Sequence, residues 1–90
     1  MYDDVICAIS TANTRSAISI VRLSGKGSID IVNKIFRGKD LTKVASHTIH
    51  YGYIYDGDQM LDEVLVSVFK APRTYTKEDV VEINCHGGVL

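Results

Sequence analysis

"HTIHYGYIYDGDQMLDEVLVSVFK", residues 47–70, is the stretch whose reading decides the fold. Its first half alternates, with Ile49, Tyr51, Tyr53 and Tyr55 on one face of a strand over 47–55. "DGDQ" at 56–59 is a hairpin turn signal, and "DEVLVSVFK" at 62–70 reads as the returning strand. A hairpin is an antiparallel pair, so the sheet is expected to be antiparallel or mixed. The tyrosine stripe reads first as cross-strand packing with hydroxyls reaching water, and second as a partner surface.

Working outward, residues 17–24, "AISIVRLS", are almost unbroken apolar and β-branched, which predicts a strand buried on both faces. "VICAI" at 5–9 predicts another, with the small polar "STANTRS" as a loop between them. "GKGS" breaks the second strand. Ile29, Val32, Ile35 and Phe36 then recur at helical spacing, predicting a helix over 28–37 with Ser28 as N-cap, Asp30 favouring its dipole and Gly38 as stop. "KDLTKVAS" reads as a connection. Downstream of the hairpin, "APRTYT" is loop, and Thr76 with Asp79 resembles a capping box opening one short helical turn. The last strand is 80–86. Val81, Ile83 and Cys85 point one way; Glu82, Asn84 and His86 point the other. The order β-β-α-β-β-β predicts an α+β domain: one helix on a small mixed or antiparallel sheet of about five strands. "GGVL" at 87–90 reads as the entry to another element, so a piece of something longer is expected.

Ninety residues suffice for one small domain, and 46% hydrophobic content is ordinary for a globular one. The net charge of −1 and the absence of a basic run give no phosphate-neutralising surface, so direct nucleic-acid binding is not expected. Such binding would show as salt-dependent retention of RNA. Cys7 and Cys85 lie in apolar contexts and form no disulfide framework or CxxC site. "MYDDV" has acids where a signal peptide needs bases, and no apolar run nears the roughly 18–20 residues of a membrane span. A soluble cytoplasmic protein with reduced thiols is expected.

Strand, "SGKGS", helix is an arrangement that can cradle phosphates, but the details fail. Gly25-Lys26 is followed by Gly27 where a P-loop needs Ser or Thr, and Asp30 stands where a dinucleotide fingerprint needs glycine. A tight strand-to-helix turn remains. His47 and His50, three apart, would fall on opposite faces of a strand, and no convergent ligand set predicts a metal site. Arg22 is more telling. A charge in a strand buried on both faces is costly unless paired, and Glu82 is its natural partner. The pair is either a structural ion pair or part of a site for a polar ligand, in which a carboxylate accepts two N–H donors from a pterin-like or guanidine-like edge. His86-Gly87-Gly88 adds bare backbone where something could approach.

"AISIVRLSG" (17–25) and "APRTYTKEDVVEINCHGG" (71–88) resemble the N-terminal domain of the MnmE/TrmE family of tRNA-modification GTPases, and the resemblance runs through the whole chain. That domain is similar to the folate-binding domains of aminomethyltransferases. The resemblance implies that residues 1–90 are a folate-binding and dimerisation domain, truncated by about a quarter at its C-terminal end. It implies a tetrahydrofolate derivative (5-formyl or 5,10-methylene) as one-carbon source, with Arg22 and Glu82 lining the pocket and Asn84 and His86 nearby. It also implies a parent protein with a helical domain and a GTP-binding domain that uses Mg2+ and K+. With the flavoprotein MnmG, that parent adds an aminomethyl-type group to carbon 5 of the tRNA wobble uridine. The first loop departs from the family: "TANTRS" keeps Arg15 but lacks two prolines and two glycines, so no role is carried to Arg15. With no P-loop, GTP hydrolysis is assigned to the parent alone. No catalytic residue is identified in this segment. The rival expectation is a purely structural dimerisation module.

Overall fold

The computed structural model describes the backbone of residues 6–11, 18–72 and 77–86, and the side chains of 20–72 and 77–85. The first loop with Arg15, the Thr76 capping box and Gly87-Gly88 lie outside the described residues. The elements are β1 (Ile6–Thr11), β2 (Ile18–Ser24), α1 (Ser28–Ile35), β3 (Phe36–Arg37), β4 (Thr48–Asp56), β5 (Gln59–Phe69) and β6 (Val80–His86). They form one sheet in the order β1-β2-β6-β5-β4-β3, with every pairing antiparallel. The expected sheet is therefore present, with one helix among the described residues. The addition is β3, two residues that pair with Ile54 and Tyr53.

The hairpin turns through Gly57 and Asp58, between the partners Asp56 and Gln59. Gly57 has φ 61°, a conformation open to glycine without steric cost, which is why the turn signal was readable. The register slips between Ile54 and Tyr55, so that Tyr55 faces Met60 while Ile54 faces Asp62.

Apolar side chains sort to one face. Leu23, Ile54, Val64, Val66, Val68, Val81, Ile83 and Cys85 meet Ile29, Val32 and Phe36 of the α1–β3 segment, and Leu41 closes the cluster from the following loop. Among the described residues no helix lies on the other face of the sheet. Rows of register partners cross it, and one runs Ala8–Arg22–Glu82–Ser67–Ile49 and the next Ser10–Ile20–Asn84–Leu65–Tyr51.

Three local expectations are corrected. Ser28 does not cap the helix: Gly27 does, at φ 93° and without a side-chain bond, while the buried Ser28 hydroxyl donates to the Asp79 carbonyl at 3.2 Å. The helix stops before Gly38, because Phe36 turns extended (φ −95°, ψ 131°) to join the sheet edge. Its ring fills the space over Gly38 and Gly52, and a Cβ at either would fall within 2.7 Å of it. His47 precedes β4 at φ 64°, with its ring edge-on to Phe69 at 5.2 Å, so the two histidines do not oppose each other across one strand.

Candidate functional site

β2 and β6 are hydrogen-bonded neighbours, and their register puts Arg22 directly opposite Glu82. Arg22 Nε lies 3.9 Å from Glu82 Oε2. The two side chains are thus together, as the sequence predicts, but the premise of burial on both faces is wrong. The Arg22 side chain is 50% exposed and that of Glu82 34%. The reason is architectural: α1 covers only the face that carries Leu23, Val81 and Ile83, so Arg22 and Glu82 project onto the uncovered one. No burial penalty compels the pairing, and the two groups are available to a ligand.

Asn84 stands two residues along on the same face, half-buried between Ile20 and Leu65. His86 ends β6 in register with Ile18, and its side chain lies outside the described part. The structure thus gathers Arg22, Glu82 and Asn84 onto one patch two strands wide. Their donor and acceptor inventory is a guanidinium, a carboxylate and an amide, which suits a flat heterocycle edge presenting N–H groups beside a carbonyl. Among the described residues no group of His, Cys, Asp and Glu could hold a metal ion. Cys85 is buried against the helix side, and burial raises its thiol pKa, which makes it a packing residue.

The uncovered face continues into an apolar stretch. Ile49 is 65% exposed, Tyr51 56% and Leu65 44%. The tyrosine stripe lies here, facing out. Tyr51 and Tyr53 meet edge-to-face at 5.7 Å, and the Tyr51 hydroxyl donates to the Glu63 carboxylate, which pushes the phenol pKa up. Tyr55 lies under the Arg37 guanidinium at 4.4 Å.

A second concave region lies on the other side of the sheet, at its far edge, where the 38–47 loop folds against β4. In sequence it reads only as a connection, and its signal is the local excess of cations, Lys34, Arg37, Lys39 and Lys43, over one acid, Asp40.

Comparison with known proteins gives the family. The family model described as "GTP-binding protein TrmE N-terminus" matches residues 5–90. Relatives described as "tRNA modification GTPase MnmE" are 60% identical over 92 residues in Bacillus cytotoxicus and in Bacillus anthracis, covering 100% of this chain and 20% of theirs. One from Latilactobacillus sakei subsp. sakei is 61% identical over 89 residues, covering 97% of this chain and 19% of its own. The chain thus spans about a fifth of the length of the curated relatives it matches. No described helix is long and apolar enough to cross a membrane.

Proposed function

The chain belongs to the TrmE N-terminal family, and from that premise we propose that it is the folate-binding and dimerisation module of a tRNA-modification GTPase. The observation that carries the reading is the Arg22–Glu82 pair held in register on an uncovered sheet face, with Asn84 beside it. Glu82 supplies two carboxylate oxygens to the amino and ring N–H groups of a pterin, a bidentate match. Arg22, 3.9 Å from one of those oxygens, keeps the carboxylate aimed. Asn84 offers one donor pair and one acceptor to the same edge. A reduced folate bound here would supply the one-carbon unit. The chain's own residues supply orientation, which is worth a large rate factor when two reactants must meet. GTP hydrolysis with Mg2+ and K+, partnership with MnmG and transfer to carbon 5 of the wobble uridine belong to the parent protein in this reading.

A second reading has its own support. The exposed Ile49, Tyr51 and Leu65 on the same face suit a purely structural module that pairs with a second copy. Calorimetric titration of 5-formyltetrahydrofolate into the intact protein separates the two. Saturable binding that Glu82→Ala abolishes, with circular dichroism and Tm retained, supports the folate site. No binding by the intact protein, or binding that survives Glu82→Ala, overturns it in favour of the structural module.

A further inference from the structure

The chain's net charge of −1 hides an asymmetry. Residues 34–50, "KIFRGKDLTKVASHTIH", hold Lys34, Arg37, Lys39 and Lys43 against a single acid, Asp40. That segment carries +3, so the rest of the chain carries −4.

The fold turns this local excess into a shaped surface. Leu41 is fully buried and pins the loop to the core, and its N–H donates to Asn33 Oδ1 at 2.8 Å. Asp40 is engaged within the loop: its Oδ1 accepts from the Thr42 amide at 3.0 Å, the Thr42 hydroxyl at 2.6 Å and Asn33 Nδ2 at 3.2 Å. Those bonds hold its carboxyl below the usual range. The lysines on either side of it, Lys39 and Lys43, are exposed and join no salt bridge among the described residues. Lys70 adds a third cation to the loop, donating from Nζ to the Thr42 carbonyl at 3.2 Å. The resulting groove, about 480 Å³, is lined by Lys39, Lys43, Val44, Ala45, Thr48 and His50, with Asp40 at its side.

His50 is wired into the groove. The Thr48 hydroxyl lies 2.6 Å from the Ala45 carbonyl and 2.7 Å from His50 Nε2. Its one proton goes to the carbonyl, which can only accept, so His50 Nε2 must be the N–H donor to Thr48 Oγ1. Nδ1 is then the nitrogen that takes up a proton. The charged groups set around this ring are Lys39, Lys43 and Asp40 from the loop, and β5 presents the apolar Val66 opposite it. Burial, with Lys39 beside it, holds the imidazole below its ordinary pKa of 6.5. An anion between the lysines would relieve that field and recruit a third positive donor.

We propose that this groove is a contact site for the RNA phosphodiester backbone, with Lys39 and Lys43 neutralising the phosphate and His50 joining them when protonated. Two exposed ammonium groups on an open groove suit a polyanion that lies across the surface. The proposal rests on the reading of the parent as a tRNA-modifying protein, but not on the folate site, since His50 shares the helix-side face of β4 with Gly52 and Ile54 while Glu82 is on the opposite face.

The test is fluorescence anisotropy of an unmodified tRNA transcript with the intact protein, across a salt series. Lys39→Glu/Lys43→Glu should weaken binding about tenfold or more near physiological salt, and should flatten the slope of log K against log salt by roughly one to two. Lys26→Glu/Lys77→Glu, an equal charge change at exposed positions away from the loop, should do far less. His50→Gln should remove the part of the affinity that rises as pH falls below about 6.5. Equal effects of the two charge reversals would mean a diffuse field and overturn the site. So would wild-type affinity in the Lys39/Lys43 variant. A wild type that binds no tRNA would overturn both this proposal and the tRNA reading of the parent, whereas loss of folate binding alone would leave this one standing.

Discussion

The Arg22–Glu82 pair allows a measurement that separates a structural ion pair from a binding site. A double-mutant cycle with Arg22→Met and Glu82→Gln isolates the coupling between the two side chains. Its size follows from the geometry. At 3.9 Å, with side chains 50% and 34% exposed, the charges are largely solvated. Two unit charges at about 4 Å in water attract by about 1 kcal/mol, and exposed pairs measured this way give about 0.2–1 kcal/mol once side-chain ordering is subtracted. In a domain of this size 1 kcal/mol moves Tm by about 4–8 °C, so the coupling is readable by thermal or urea denaturation but small. Ligand affinity should behave differently. A charge-assisted hydrogen bond is worth about 1.5–3 kcal/mol, so Glu82→Gln should cost roughly ten- to a hundredfold in affinity for a tetrahydrofolate. The expected signature is a small stability coupling beside a large loss of binding. A coupling well above about 2 kcal/mol would show a desolvated pair held for structure, and would refute the exposure argument. Unchanged affinity in Glu82→Gln would remove Glu82 from the site.

Other outcomes follow from the packing. Gly52→Ala places a methyl 2.5 Å from Phe36 Cζ and against the Arg37 carbonyl, so β3 must shift, and a loss of about 1–3 kcal/mol is expected by urea denaturation. Asn33→Ala strips the acceptor from the buried Leu41 N–H and should cost about 1–3 kcal/mol by the same assay, with hydrogen exchange at Leu41 rising. His50 sits below 6.5 in the folded chain, so below that pH the unfolded chain binds the proton first. Its contribution to stability is therefore complete above about 6.5 and is lost as pH falls through the folded value. The difference in Tm between wild type and His50→Gln, followed from pH 8 to 5, should show that sign.

The hairpin, the helix and the last strand were legible because alternation and helical spacing over 47–70, 28–37 and 80–86 reflect which side chains the core takes. What escaped the sequence had physical causes. An apolar run such as 17–24 looks the same whether both faces are covered or one is open, so the exposure of Arg22 could not be read from it. The cap failed because Ser28 spends its hydroxyl on Asp79, 51 residues away, a tertiary choice that local spacing does not encode. β3 is too short to show a period. The cost of an unpaired charge and two central-looking strands point to Glu82 as the partner of Arg22, and the direct pairing of β2 with β6 sets the two opposite each other, though not buried. The basic loop was missed because charge was averaged over the chain.

The two faces of the sheet have consequences for how the module can work. Strands lie about 4.8 Å apart, so β6 and β4, with β5 between them, are separated by about 10 Å, and the side chains of Glu82 and His50 leave the sheet in opposite directions. A single small ligand cannot touch both. Groups at that separation without shared partners contribute almost independently. The two proposed sites, one on each face, would therefore need no mutual adjustment. The core residues between them, Val64, Val66 and Val81, keep the geometry fixed. On the proposed readings such a sheet would act as a rigid spacer, setting the distance between a folate bound on one face and an RNA backbone bound on the other. Any approach of the two must come from motion of the whole module or of its neighbours, since the packed core leaves no room for it within the sheet.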